Sequence, residues 1–204
     1  MAYRIFDRVH TAYGDLLNTN DYRADFSAGF HEIEGPIWKL ERAQNFDEGS
    51  DPSWNAMLDG DWERSKALLE ESRPDHAADL PARGELRRLR IVEWPLTPYM
   101  QWELHLLAMR ARLGERGRAL AASDVAFLEP GRPLPELVVF RTDLMYQVLY
   151  DATGTCVGAR RITDAAVIEP CVTQISTLYG GAEEMAGYVE REVAPLPPPR
   201  GARA

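Results

Sequence analysis

Several things are scarce in this 204-residue chain, and each scarcity excludes something. Cys156 and Cys171 are its only cysteines, too few and too loosely spaced for a zinc site or a disulfide framework. They are expected to be reduced core thiols of a cytoplasmic protein. No apolar run approaches the roughly 18 residues a membrane span needs, so no membrane association is expected. Residues 1–10 (MAYRIFDRVH) interrupt every apolar stretch with charge, so no secretory signal is expected there. Gly35, Gly49 and the pair Gly180-Gly181 match neither the dinucleotide fingerprint nor the P-loop spacing, and Gly-x-Ser-x-Gly is absent. His31-Glu32-Ile33-Glu34 holds metal-ligand residue types but no second His or Cys at ligand spacing, so neither a metal nor a cofactor is expected.

Positive charge is also short. The chain carries 32 acidic residues against 23 basic ones, and only Lys39 and Lys66 are lysines. The formal charge of −9 speaks against a surface built for nucleic acid or anionic lipid. The deficit is local: residues 1–80 hold 17 acidic against 8 basic side chains, whereas residues 81–204 hold 15 of each. From Arg83 to Arg118 eight arginines face Glu85, Glu93, Glu103 and Glu115.

What is present reads as one α+β domain. Residues 1–80 form an acidic region of short helices and loops, with residues 37–40 (IWKL) as a strand and residues 54–69 as a helix or helix pair broken at Asp59-Gly60. Pro74 and Pro81 bound a linker. The body, residues 81–193, opens with residues 86–92 (LRRLRIV), whose alternation puts Leu89 and Ile91 on one face and Leu86, Arg88, Arg90 and Val92 on the other. Thr97-Pro98 is a helix start, because the Thr hydroxyl accepts an orphan amide and Pro lacks one. Tyr99, Trp102, Leu106, Met109 and Leu113 then recur at helical spacing up to Gly114. Residues 119–122, 137–140, 146–150 and 156–162 read as strands. A helix capped by Thr163 follows, with Pro170 predicting a kink or two short helices. Residues 182–193 form a last helix, and residues 194–204 (APLPPPRGARA) a disordered tail. This order predicts a mixed or antiparallel sheet with packed helices.

Residues 87–103 (RRLRIVEWPLTPYMQWE) resemble the signature of an uncharacterised actinobacterial family, DUF6879, in which an Arg-rich strand runs through a Pro turn into a helix bearing Tyr, an aromatic and Glu. The resemblance extends more loosely over residues 35–180, through Arg118, the strand pair ending in DATG, and Thr163-Asp164. It departs from the pattern at Arg141-Thr142, at Pro170 and at Tyr179-Gly180-Gly181. It implies a fold similar to half of a phospholipase-D-like domain. Enzymes of that fold use a His with a Lys two residues on, and none of His10, His31, His76 or His105 has one, so phosphodiester chemistry is not expected. A regulatory or specialised-metabolite setting is what the resemblance implies.

Two readings of the Arg-rich strand stand side by side. Arg88 and Arg90, joined by Arg118 from the next strand, can form an anion site beside Trp94 and Trp102. In the other reading the arginines are a structural network, pairing with Glu103 where the helix covers the sheet. The preferred functional expectation is a non-catalytic protein that binds a basic partner or a small anionic ligand. The basic partner would meet an acidic surface carrying Trp38, Trp54 and Trp62. The alternative is a small tailoring enzyme acting on a carboxylate substrate, with Glu93, Tyr99 or Glu103 as acid or base. Direct nucleic-acid binding ranks third.

Overall fold

The structure is a computed structural model and describes residues 5–31, 35–79 and 85–200. Its elements, in order, are α1 (Ile5–Thr11), β1 (Asp15–Leu17), α2 (Thr19–His31), β2 (Pro36–Glu41), α3 (Pro52–Leu58), α4 (Trp62–Glu71), α5 (Arg73–Asp79), β3 (Glu85–Val92), α6 (Pro98–Arg112), β4 (Arg116–Ala121), β5 (Leu137–Phe140), β6 (Leu144–Tyr150), β7 (Cys156–Ile162), α7 (Ala165–Gly181), β8 (Glu183–Glu184) and α8 (Met185–Tyr188). One eight-stranded sheet runs β1-β7-β6-β5-β2-β3-β4-β8. β2, β3 and β4 are mutually parallel, while the remaining pairings are antiparallel. The fold is therefore α+β with a mixed sheet and packed helices.

Strand alternation decides which face each side chain meets. On one face Trp38, Leu40, Leu89, Ile91 and Val139 form a core with α1 and α7. Over the opposite face two helical groups divide the cover. α3, α4, α6 and α8 bury Trp54, Met57, Tyr99 and Trp102 over the β3–β4 side. α2 lays Tyr22 and Phe26 on Ile37, Phe140 and Tyr146. The ground between α2 and α6 is left to the polar residues of β2 and β3.

α6 forms as its sequence predicts: Thr97 accepts from the Met100 amide at 3.0 Å, Pro98 follows, and the chain turns at Gly114 with φ 114°. Elsewhere the structure corrects the sequence reading. Residues 13–17, whose apolar spacing with Ile5, Phe6 and Val9 reads as helical, contain the strand 15–17 instead, since these residues complete the sheet edge against β7. Pro74 opens a helix, α5, instead of a linker, because the first helical turn needs no proline N–H; Pro81 lies outside the described residues. Asp164, not Thr163, caps α7, its carboxylate accepting from the Ala166 amide at 2.9 Å. α7 then continues through Pro170, which removes a single backbone bond while Val167, Ile168, Cys171 and Ile175 hold the helix to the sheet. Residues 182–193 begin with the two-residue β8 and end in a widened turn over 189–193. Residues 194–200 are not a free tail: Leu196 packs on the α6 side, and the Pro197 carbonyl accepts from Gln101 at 2.8 Å. The boundary expected at residue 80 does not divide the sheet, because β2 sits between β5 and β3.

Candidate functional site

The Arg-rich strand is central and covered, so its arginines must be neutralised internally. Arg90 is fully buried; its Nε donates to Glu103 of α6 at 2.7 Å. Arg88 sits between two carboxylates, donating from Nη1 to Glu41 of β2 at 2.6 Å and from Nε to Glu115 at 2.5 Å. Glu115 turns its other oxygen to Arg110 Nε at 2.7 Å, and Lys39 reaches Glu41 at 2.6 Å. Burial alone would push Glu115 up, but Arg88 and Arg110 together hold it down at about 2. Glu41 is likewise driven far below its ordinary value, burial being outweighed by Arg88 and Lys39. Burial opposes the charge on Arg88 too, yet its two carboxylates hold it well above the ordinary value.

This network does not close the face. Above Lys39, Glu41 and Arg88 lies a cleft of about 600 Å³, walled by Glu103 and Arg110 of α6 on one side and the loop of residues 46–50 on another. Arg23 of α2, Tyr150 and Cys156 complete its rim. The loop is fastened at several points. The Asp47 amide donates to the Gly154 carbonyl at 3.0 Å, Thr155 Oγ1 donates to the Asp47 carboxylate at 3.1 Å, and Tyr99 donates to Glu48 at 2.8 Å. Gly154 is required there: its φ is 85°, and a Cβ would stand 2.9 Å from Phe46 Cα. Burial raises the Glu48 carboxyl and strongly raises the Tyr99 phenol.

Of the residues singled out from sequence, Arg88, Tyr99 and Glu103 line the cleft, and Arg90 lies beneath it, its guanidinium 5.8 Å from the Phe46 ring centre. The others are elsewhere. Arg118 faces the opposite side of the sheet, because it pairs in register with Leu89 and not with an arginine of β3. There it donates to the Tyr179 carbonyl at 2.8 Å and covers the Tyr179 ring at 4.6 Å. Glu93 is exposed and bound to Arg42 at 3.0 Å. Trp94, in the turn, donates to Tyr188 at 3.1 Å, and Trp102 is core, donating to Ser53 at 2.8 Å. Trp38, Trp54 and Trp62 are all buried, so these three offer no aromatic surface to a basic partner; apolar burial outweighed surface display. Cys171 is a core thiol as expected, whereas Cys156 is only half-buried and borders the cleft. His105 is half-buried and packs edge-on against Trp62 at 5.3 Å.

Sequence reasoning missed Lys39, Glu41, Glu48, Arg110 and Glu115. The alternation of IWKLE carried part of the signal, since it sets Lys39 and Glu41 on the face of Ile37. That this face meets Arg88 and Arg90 follows from the parallel register Lys39–Arg88 and Glu41–Arg90, which no local pattern announces. Among the described residues no group of three or more His, Cys, Asp or Glu is placed to hold a metal ion, and no helix is long and apolar enough to cross a membrane. The segment 31–34 considered for metal binding lies outside the residues whose side chains are described.

The fold and site together define a mixed-sheet α+β protein with a polar cleft over a buried arginine–carboxylate network. Residues 24–190 match the family described as "Domain of unknown function (DUF6879)", and the chain belongs to that family. No curated protein matches the chain.

Proposed function

We propose that this protein is a non-catalytic binder of a small polar molecule, held in the cleft above Arg88. One observation carries the reading: charged side chains of both signs border about 600 Å³ of open space between two helices, a size in the ordinary range for small-molecule sites. A regulatory or biosynthetic setting in an actinobacterium agrees with such a role. An enzymatic reading would rest on Glu48, the one cleft carboxyl raised by burial; Tyr99 is committed to Glu48 and Glu103 to Arg90.

The test is thermal stabilisation by a panel of small carboxylates, phosphates, amines and zwitterions, since a ligand that binds only the native state must raise its melting temperature. Ser50 is an exposed rim residue, so Ser50→Trp obstructs the cleft without touching the core. At least one compound is expected to stabilise the wild type and not this variant. No stabilising compound at millimolar concentration, or stabilisation indifferent to Ser50→Trp, overturns the proposal.

A further inference from the structure

We infer that the cleft takes an amphipathic monocarboxylate, with its acid group among the arginines and an apolar ring or short chain in a second chamber; this rests on the binding reading above. The second chamber, about 170 Å³, adjoins the first and shares Lys39, Arg88, Tyr150 and Cys156 with it. Its remaining lining is almost wholly apolar: Tyr22, Phe26, Ile37, Leu86, Val138 and Val148. An apolar cavity of roughly 150 Å³ accommodates a benzene ring. The double chamber therefore fits a molecule with one polar and one apolar end.

Hydrogen-bond supply fixes the sign of the polar end. Around the first chamber the carboxylates are already accepting: Glu41 from Lys39 and Arg88, Glu103 from Arg90, and Glu48 from Tyr99. Asp47 accepts from the Gly49 amide and Thr155. Two guanidinium groups have donors to spare. Arg110 Nη2 is buried with no hydrogen-bond partner, although Arg110 is only 7 % exposed. Arg23, on the rim, has no ion pair among the described residues. A buried guanidinium N–H without an acceptor is costly; with Arg110 Nε held by Glu115 and Nη1 beside His76 Nδ1, Nη2 has room for one acceptor, which a carboxylate oxygen supplies. An ammonium would bring donors where these guanidinium groups need an acceptor.

The test uses calorimetric titration of 3-phenylpropanoate, 3-phenylpropanamide, 3-phenylpropylamine and propanoate. 3-Phenylpropanoate is expected to bind at least about tenfold tighter than each of the others, the amide and amine lacking the charge and propanoate lacking the ring. Arg23→Gln, a substitution at an exposed side chain, weakens the acid several-fold and leaves the amide unchanged. Val148→Phe, which fills the apolar chamber, removes the advantage of 3-phenylpropanoate over propanoate; circular dichroism checks that the variant is folded. An amide or amine that binds as tightly as the acid, and is blocked by Ser50→Trp, overturns the carboxylate assignment and leaves the cleft a binding site. Acid binding that survives Ser50→Trp overturns both readings. Failure of all four probes at millimolar concentration overturns this inference alone.

Discussion

Arg88 and Glu115 meet at 2.5 Å between Nε and Oε1, although 27 positions separate them in the chain and the whole of α6 lies between. The contact ties the strand before the helix to the turn after it. Through its second oxygen Glu115 also fixes Arg110 at the end of α6, so one carboxylate closes the strand–helix–strand unit on which the cleft is built.

Glu115→Ala therefore leaves two buried guanidinium groups without their shared acceptor. Breaking a buried ion pair from one side costs about 3–5 kcal/mol. Urea denaturation of the variant is expected to show a loss of that order, and a loss below about 1 kcal/mol would show the contact to behave like a surface pair.

The pH dependence of stability has two arms of opposite origin. Glu115 and Glu41 are held below their ordinary values in the folded protein, Glu115 at about 2. Their contribution is complete above the unfolded value of about 4.3 and is lost as the pH falls from there toward 2. Glu136 is the reverse case. Burial outweighs the Arg90 charge and the Ala43 and Arg42 amides it accepts from, and raises it to about 7. Its folded form binds a proton more readily than its unfolded form, so its contribution is complete below the unfolded value and declines as the pH rises to 7. Stability measured by denaturation across pH 3–8 should fall at the acid end and decline between about 4.3 and 7. Glu136→Gln should flatten the second slope only; an unchanged slope would assign it to another group.

Arg118 separates fold from site. Its guanidinium satisfies the Tyr179 carbonyl at the end of α7, on the face away from the cleft. Arg118→Ala is expected to cost about 1.5–3 kcal/mol, the range for hydrogen bonds to charged groups, while a cleft ligand keeps its affinity. A matching loss of affinity in titration would contradict the placement of Arg118 on the far face.

Gly158 admits β1 to the sheet. Its φ is 136°, and a Cβ there would lie 2.0 Å from the Leu17 carbonyl oxygen. Gly158→Ala should detach the β1 edge and speed hydrogen exchange at residues 15–17, with β2 and β3 still protected. Uniform protection in the variant would show that the edge accommodates the methyl group by a small shift.

Much of this architecture was legible locally. The alternation of residues 86–92 placed Arg88 and Arg90 together and opposite Leu89 and Ile91, as the structure has them, and Thr97-Pro98 marked the first turn of α6. Pairing of Arg90 with Glu103 was foreseeable because a helix following a strand folds back over it, whereas Arg88, expected to share that carboxylate, pairs with Glu41 and Glu115 instead. Arg118 was misplaced for a definite reason. Alternation says which residues of one strand share a face, but not how that strand aligns with its neighbour, and a one-residue difference in register reverses the face.

The sequence by itself determined the start of α6 and the two faces of β3, because these depend on short-range periodicity and capping, and it required any buried arginine of that strand to find an anionic partner. Only the tertiary structure decided that β2 lies parallel to β3, that Glu41 and Glu115 converge on Arg88, and that α2 and α6 leave a cleft between them. Those features are set by long-range strand register and by where helices stop covering a sheet, which no stretch of neighbouring residues encodes.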